Sequence, residues 1–141
     1  MISSRSLGDL HPQIRERAEA HIAACNAEGI DIIITCTYRD NEEQDRLYAI
    51  GRTSPGVKVT NAKAGHSMHN YRLAYDVVPL RHGKPVWGTL GDDGKLWARV
   101  GTLGEQHGLE WAGNWISFKE YPHFQYAGGM PVSYFEGGGT L

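Results

Sequence analysis

Cysteine is nearly absent from this chain. Two cysteines in 141 residues, Cys25 and Cys36, cannot build the disulfide framework that stabilises many small secreted domains. One bridge or two buried thiols remain open, and the apolar surroundings of both residues favour buried thiols. Neither has the setting of a nucleophile. Long apolar runs are missing as well, and nothing approaches the ~18 residues that a membrane span requires. Met1 to Leu10 lacks the apolar stretch of a secretory signal, so the chain is expected to be made in a cytoplasm. There is no excess of one charge, with 14 basic against 16 acidic residues. That balance argues against a nucleic-acid partner, which selects a basic patch. No internal repeat or compositional break divides residues 1–141, which read as one compact domain.

What is present is more pointed. Hydrophobic residues reach 40%, enough for a core, and seven histidines invite a search for metal ligands. Leu10, Ile14, Ala18, Ile22 and Cys25 recur at helical spacing, with Asp9 as a cap, Pro12 in the first turn and Gly29 at the end. The β-branched run Ile30 to Thr37 predicts a buried strand. Asp40 and Glu43 form a capping signal for a helix over Asn41 to Ile50. Leu73 to Pro79 predicts a second strand. Asp92 or Asp93 is expected to cap a helix carrying Leu96, Trp97, Val100 and Leu103, with Gly108 beyond it. "GLEWAGNW" reads as a short strand and turn, and "HFQY" as a last strand with His123 and Gln125 on one face. The tail, about residues 128–141, is expected to be flexible. Irregular alternation of helices and short strands predicts an α+β fold.

The chemistry gathers in "HSMHNYRLAYDVVP", His66 to Pro79. Asp76 sits among apolar residues, where an unpaired carboxylate is costly to desolvate. A cation would offset that cost. His69, Asp76 and His123 offer two imidazoles and one carboxylate, a set that suits a catalytic zinc with one position left for water. Glu120 precedes His123 by three residues, with Pro122 stiffening the link. It can stand beside such a metal as a base. By spacing alone, a loop histidine, a capped aspartate and a solvated Glu120 explain the same residues.

Four segments together resemble a known family. "SMHNYRLAYD" is similar to the Ser-x-His-x6-Asp signature of zinc peptidases of the VanY and D-Ala-D-Ala carboxypeptidase kind. "EYPHFQ" resembles their Glu-x-x-His signature, and "TYRDNEEQ" their substrate-binding segment. "GLEWAGNW…FKEYPHFQ" is closer still to the L-alanyl-D-glutamate endopeptidases of phage endolysins. The resemblance implies a small, mainly antiparallel sheet with helices packed on one side and a zinc cleft, the Hedgehog/DD-peptidase-like arrangement. It implies one Zn2+ held by His69, Asp76 and His123, Glu120 as catalytic base, and substrate roles for Arg39, Gln44 and Ser67.

Several roles stay open at this level. Arg39 can serve a tetrahedral oxyanion, a substrate carboxylate, or both. Gln44 can orient Arg39 or bind substrate. Ser67 can donate to substrate or order its loop. Trp111 suits the core, and Trp115 suits a cleft wall that binds substrate. His66 reads as a loop residue, and His11, His21, His82 and His107 as surface. Arg72 stands where relatives carry glycine and is expected to extend into solvent or touch an acidic substrate. Ala112-Gly113-Asn114 replaces a frequent Gly-Gly-Asp.

The implied function is zinc-dependent hydrolysis of the L-alanyl-D-glutamate bond in peptidoglycan stems, lysing the bacterial wall. A D,D- or L,D-carboxypeptidase, or a non-catalytic zinc-stabilised wall-binding module, are the alternatives. The expected setting is a monomeric phage or prophage endolysin without a separate wall-binding domain, released from the host cytoplasm onto peptidoglycan.

Overall fold

The computed structural model covers Met1–Leu141. Its four α-helices are α1 (Pro12–Ala27), α2 (Asn41–Ala49), α3 (Gly91–Gln106) and α4 (Val132–Glu136). Five strands make one sheet: β1 (Asp31–Cys36), β2 (Ala74–Arg81), β3 (Lys84–Pro85), β4 (Glu110–Trp111) and β5 (His123–Gln125). The order is β1-β2-β5-β4, with β3 paired to β2, and every pairing is antiparallel. This is the α+β domain with an antiparallel sheet that the sequence predicts.

The main core lies between the sheet and helices α1 and α3. Ile14, Ala18 and Cys25 of α1 meet Trp97, Val100 and Leu103 of α3, over Tyr75, Val77, Trp111 and Phe124 of the strands. Each large apolar side chain fully buried here contributes roughly 1.5–3 kcal/mol. Two glycines of α3 permit the close approach. A Cβ on Gly101 would lie 2.3 Å from the Trp111 ring, and one on Gly104 would lie 2.5 Å from Phe124.

Local signals differ from expectation in five places. β1, expected to be buried, is an edge strand with Ile33 40% exposed, because only β2 pairs with it. His11, not Asp9, caps α1, its Nδ1 accepting from the Gln13 amide at 3.1 Å. Asp9 instead lies in a 3-10 turn and accepts from the Ser4 hydroxyl. Neither Asp92 nor Asp93 caps α3, which begins at Gly91 after Leu90 without a side-chain cap. His21, expected at the surface, is fully buried. Finally, residues 128–141 are not an unstructured tail. They include α4, whose Phe135 is only 4% exposed and packs with Met68, Leu73 and Ala74.

The Asp40 cap holds as expected, its carboxylate accepting from the Glu43 amide at 2.8 Å. Cys25 and Cys36 are both free and buried, so the bridge is excluded.

Candidate active site

Strand register brings the key residues together. Asp76 of β2 pairs with His123 of β5 on one side and with Cys36 of β1 on the other. The β1 ladder slips between Ile34 and Cys36. Such bulges re-aim a strand end, often beside an active site. The chain then leaves β1 through Thr37 and Arg39 directly above Asp76.

His69 arrives from a 3-10 turn, Met68–Tyr71, that Ser67 caps. The Ser67 hydroxyl accepts from the His69 amide at 3.2 Å, and the Asn70 side chain accepts from the Ser67 amide at 3.1 Å. The Asn70 side-chain amide also donates to the Arg39 carbonyl at 3.0 Å, tying this turn to the end of β1. Met68 and the α4 residue Phe135 pack beneath it.

The histidine tautomers are set by their outer partners. His69 Nδ1 lies 2.8 Å from the Thr37 carbonyl, which can only accept, so Nδ1 carries a proton. That leaves Nε2 facing Asp76 Oδ1 at 3.1 Å. His123 Nε2 lies 2.7 Å from Gln125 Oε1 and donates to it. Its Nδ1 then points to Asp76 Oδ1 at 3.3 Å. One ligand atom from each of His69, Asp76 and His123 lies within 4.8 Å of the others. Two lone pairs and a carboxylate thus converge on one point, each imidazole anchored by its far nitrogen. That outer anchoring is how metal-binding histidines are oriented, and the set suits a divalent metal.

Without a cation, a proton on His69 takes its place. Burial alone would raise the Asp76 carboxyl, but the His69 charge and hydrogen bonds from both histidines hold it well below the usual carboxylate range. Burial alone would lower the His69 imidazole, and Asp76 overrides it and raises it. A cation and the His69 proton compete for the same lone pair.

Glu120 Oε2 lies 3.6 Å from His123 Nδ1, and its side chain is 28% exposed. The Glu120 amide donates to the Ala112 carbonyl, and the His123 amide to the Glu120 carbonyl, each at 3.2 Å. This turn sets the carboxylate beside the cluster rather than inside it. Burial raises its pKa, the direction a general base near neutral pH needs.

Arg39 stands on the β1 side. Its guanidinium donates to Gln44 Oε1 at 3.0 Å and approaches Asp76 Oδ2 to 3.9 Å, while its buried Nε has no partner. Gln44, for which the sequence leaves orienting Arg39 and binding substrate both open, is fully buried against Arg39. Its amide donates to the Ala62 carbonyl at 2.7 Å, which fixes the oxygen that accepts from Arg39. Ser67 orders its loop as a cap by accepting, and it also lines the cleft with its hydroxyl proton free to donate. Trp115 lines the cleft, its ring 5.6 Å from that of His123, and its indole donates to Glu110 at 2.8 Å. Trp111 is buried in the core, as expected. His66 is an exposed loop residue 3.3 Å from Glu136.

Arg72 departs from expectation. It holds φ 64°, a left-handed conformation that glycine adopts more readily than a residue with a side chain. It neither extends free nor enters the cleft. Its guanidinium stacks 3.9 Å from the Tyr38 ring centroid and donates to the Asp9 carbonyl at 2.9 Å.

Two anchors escaped the sequence reading. Gln125 was legible only as a residue on the His123 face, two positions along a strand. The Thr37 carbonyl has no side-chain signal at all.

Arg39, His69, Asp76, Trp115, Glu120 and His123 open into a cleft of about 1240 Å³. A family profile described as D-alanyl-D-alanine carboxypeptidase matches residues 60–126. The peptidoglycan L-alanyl-D-glutamate endopeptidase CwlK of Bacillus subtilis is 42% identical over 122 residues, covering 83% of this chain and 73% of that protein. The fold is shared with the L-Ala D-Glu endopeptidase ChiX of Serratia marcescens, at TM-score 0.64, 20% identity and 89% coverage of each chain. It is also shared with the D,D-pentapeptidase VanY, whose structure contains Zn(II), at TM-score 0.62, 16% identity and coverage of 91% and 78%. With its antiparallel sheet, convergent His-Asp-His cluster and close sequence relative, the chain belongs to the peptidase M15 family of metallopeptidases.

Proposed function

We propose that the protein is a zinc-dependent endopeptidase that hydrolyses the L-alanyl-D-glutamate bond of peptidoglycan stem peptides. The observation that carries the chemistry is the convergence of His69 Nε2, Asp76 Oδ1 and His123 Nδ1, with Glu120 beside them. The bond specificity rests on the identity to CwlK, an enzyme named for that cleavage.

His69, Asp76 and His123 would hold the ion. When bound, zinc supplies Lewis acidity and a water of lowered pKa. Glu120 accepts the proton of the attacking water at Oε2 and returns it to the leaving amine. Arg39, rigidly held by Gln44, offers a fixed positive charge to the carboxylate of D-glutamate and to oxyanion charge on the scissile carbonyl. Gln44 and Ser67 act as positioning residues, and Trp115 as a wall against substrate. Residues 1–141 act as one monomeric catalytic domain. Its similarity to endolysin peptidases supports a lytic role for a phage or prophage product, made in the host cytoplasm and acting on the wall after release.

Digestion of purified sacculi followed by mass spectrometry tests this reading. New amino-terminal glutamate is expected, lost with a chelator and restored by zinc. Release of terminal D-alanine alone would mark a carboxypeptidase instead. Glu120→Ala is expected to lower turnover about 10²–10⁴-fold with metal retained. Near-wild-type turnover in that variant would remove Glu120 from the mechanism.

A further inference from the structure

The cleft is chemically lopsided. Asp76 and His123 lie on the adjacent strands β2 and β5 in its floor. β1 pairs with Leu80 from one side and β3 pairs with the same residue from the other, so β3 shares the β5 side of β2. Arg39, which follows β1, therefore gives one flank its cationic character. Trp87, which follows β3, and Trp115 and Phe118, which follow β4, give the opposite flank an aromatic one, with Lys119 next to Phe118.

That aromatic flank is built in a way the core does not require. Trp87 is 59% exposed although it lines the cleft. Phe118 also lines it and holds φ 50°, a strained conformation for a bulky side chain, of the kind retained where function demands it. Trp97 lines the same cleft, is 1% exposed, and its indole N–H has no partner. A buried donor without an acceptor has given up its hydration for nothing in return. A ligand acceptor reaching it would recover that loss.

We infer that the Trp87–Trp115 flank is a binding site for an N-acetylated amino sugar, with Trp97 donating to one of its oxygens. The inference rests on the proposed cleavage of the L-alanyl-D-glutamate bond, because that bond lies one residue from the sugar. The lactyl link and one alanine span roughly 7 Å of chain, about two residues' length. A stem whose D-glutamate faces Arg39 across the metal must bring its sugar to the opposite flank. The C–H face of a pyranose is apolar and weakly positive, matching the negative face of an indole. The cleft is also larger than the ~300–1,000 Å³ of an ordinary small-molecule pocket, which suits a peptide with a sugar attached. The glycan is thus part of the recognised substrate, and it fixes the direction in which the stem lies.

Two measurements on the zinc-loaded protein decide this. The first compares kcat/KM for a stem tripeptide carrying N-acetylmuramic acid and for the same tripeptide free. Wild type is expected to prefer the glycan form by roughly tenfold, the equivalent of one good stacking contact. Trp87→Ala is expected to bring the ratio close to one, and Trp87→Tyr to restore it. No preference in wild type, or an unchanged ratio in Trp87→Ala, overturns the sugar site. The second titrates N-acetylmuramyl-L-alanine into Glu120→Ala and follows the tryptophan indole N–H signals by NMR. Shifts at Trp87 and Trp97 are expected whichever bond the enzyme cuts, and their absence overturns the site. Cleavage at another bond with these shifts intact would reject the proposed specificity and leave the sugar site standing.

Discussion

Tyr75 and Asp76 are neighbours on one strand and serve two buried histidine clusters on opposite faces of the sheet. Toward the helices, Tyr75 meets His21. Toward the cleft, Asp76 meets His69 and His123. The His21 imidazole is closed on both sides, with Nδ1 2.7 Å from the Tyr75 hydroxyl and Nε2 2.8 Å from the Val100 carbonyl. His69 and His123 each use one nitrogen for anchoring and turn the other toward a shared point. Burial therefore does not distinguish a ligand from a core histidine. The free lone pair does, together with an acidic partner open to a cleft.

The largest expected effect comes from breaking the open cluster. Asp76→Ala removes the carboxylate and leaves two imidazoles, so metal content by elemental analysis should fall to background and hydrolysis with it. If that variant retains one ion per chain, the ligand set is wrong. Gln125→Ala is milder. It releases His123 Nε2 without touching the metal point and should weaken metal affinity by about 10–100-fold in a competition assay with a chelator. An unchanged affinity would mean that Gln125 does not orient the ring.

The closed cluster predicts a pH effect of a different kind. Burial lowers the His21 pKa from 6.5 to about 4, so the folded protein keeps this imidazole neutral. The unfolded chain binds the proton between those two values, and stability must fall as pH drops through that window. The loss is about 3 kcal/mol, complete near pH 4, and absent above pH 6.5. Denaturant titrations over that range measure it, and His21→Phe should flatten that part of the slope while starting from lower stability. An equal slope in the variant would reject the assignment. The smallest effect is expected at Arg72. Arg72→Gly relieves a left-handed backbone costing about 1–2 kcal/mol and loses a stacking contact and a hydrogen bond of similar worth. Its midpoint of unfolding and its activity should both stay close to wild type.

Much of the site was legible because ligands must be particular residue types at positions the strand pattern can reach. His69, Asp76, His123 and Glu120 are such residues, and their elements emerge from β-branched runs and turn signals nearby. His21 was misread for a physical reason. On a helical stripe a histidine is polar by composition, and only the distant Tyr75 and Val100 make its burial affordable. Arg72 was misread because αL geometry leaves no trace in its own side chain. The packed α4 was missed because it is five residues long between a glycine pair and a glycine run, and the partners of its Phe135, Met68 and Leu73, lie far away in sequence.

By itself, the sequence determined the α+β class, the strand carrying Asp76, the family resemblance and the identity of the metal-binding candidates. Those depend on local periodicity and on side-chain chemistry, both of which one chain carries in order. Tertiary structure alone decided which imidazole nitrogen faces the centre, that Gln44 holds Arg39 from within the core, and that tryptophans from two separate segments flank one cleft. Each of these depends on a partner distant in the chain, often a backbone carbonyl or the opposite side of a sheet. Residue type does not encode such a partner until the chain has folded.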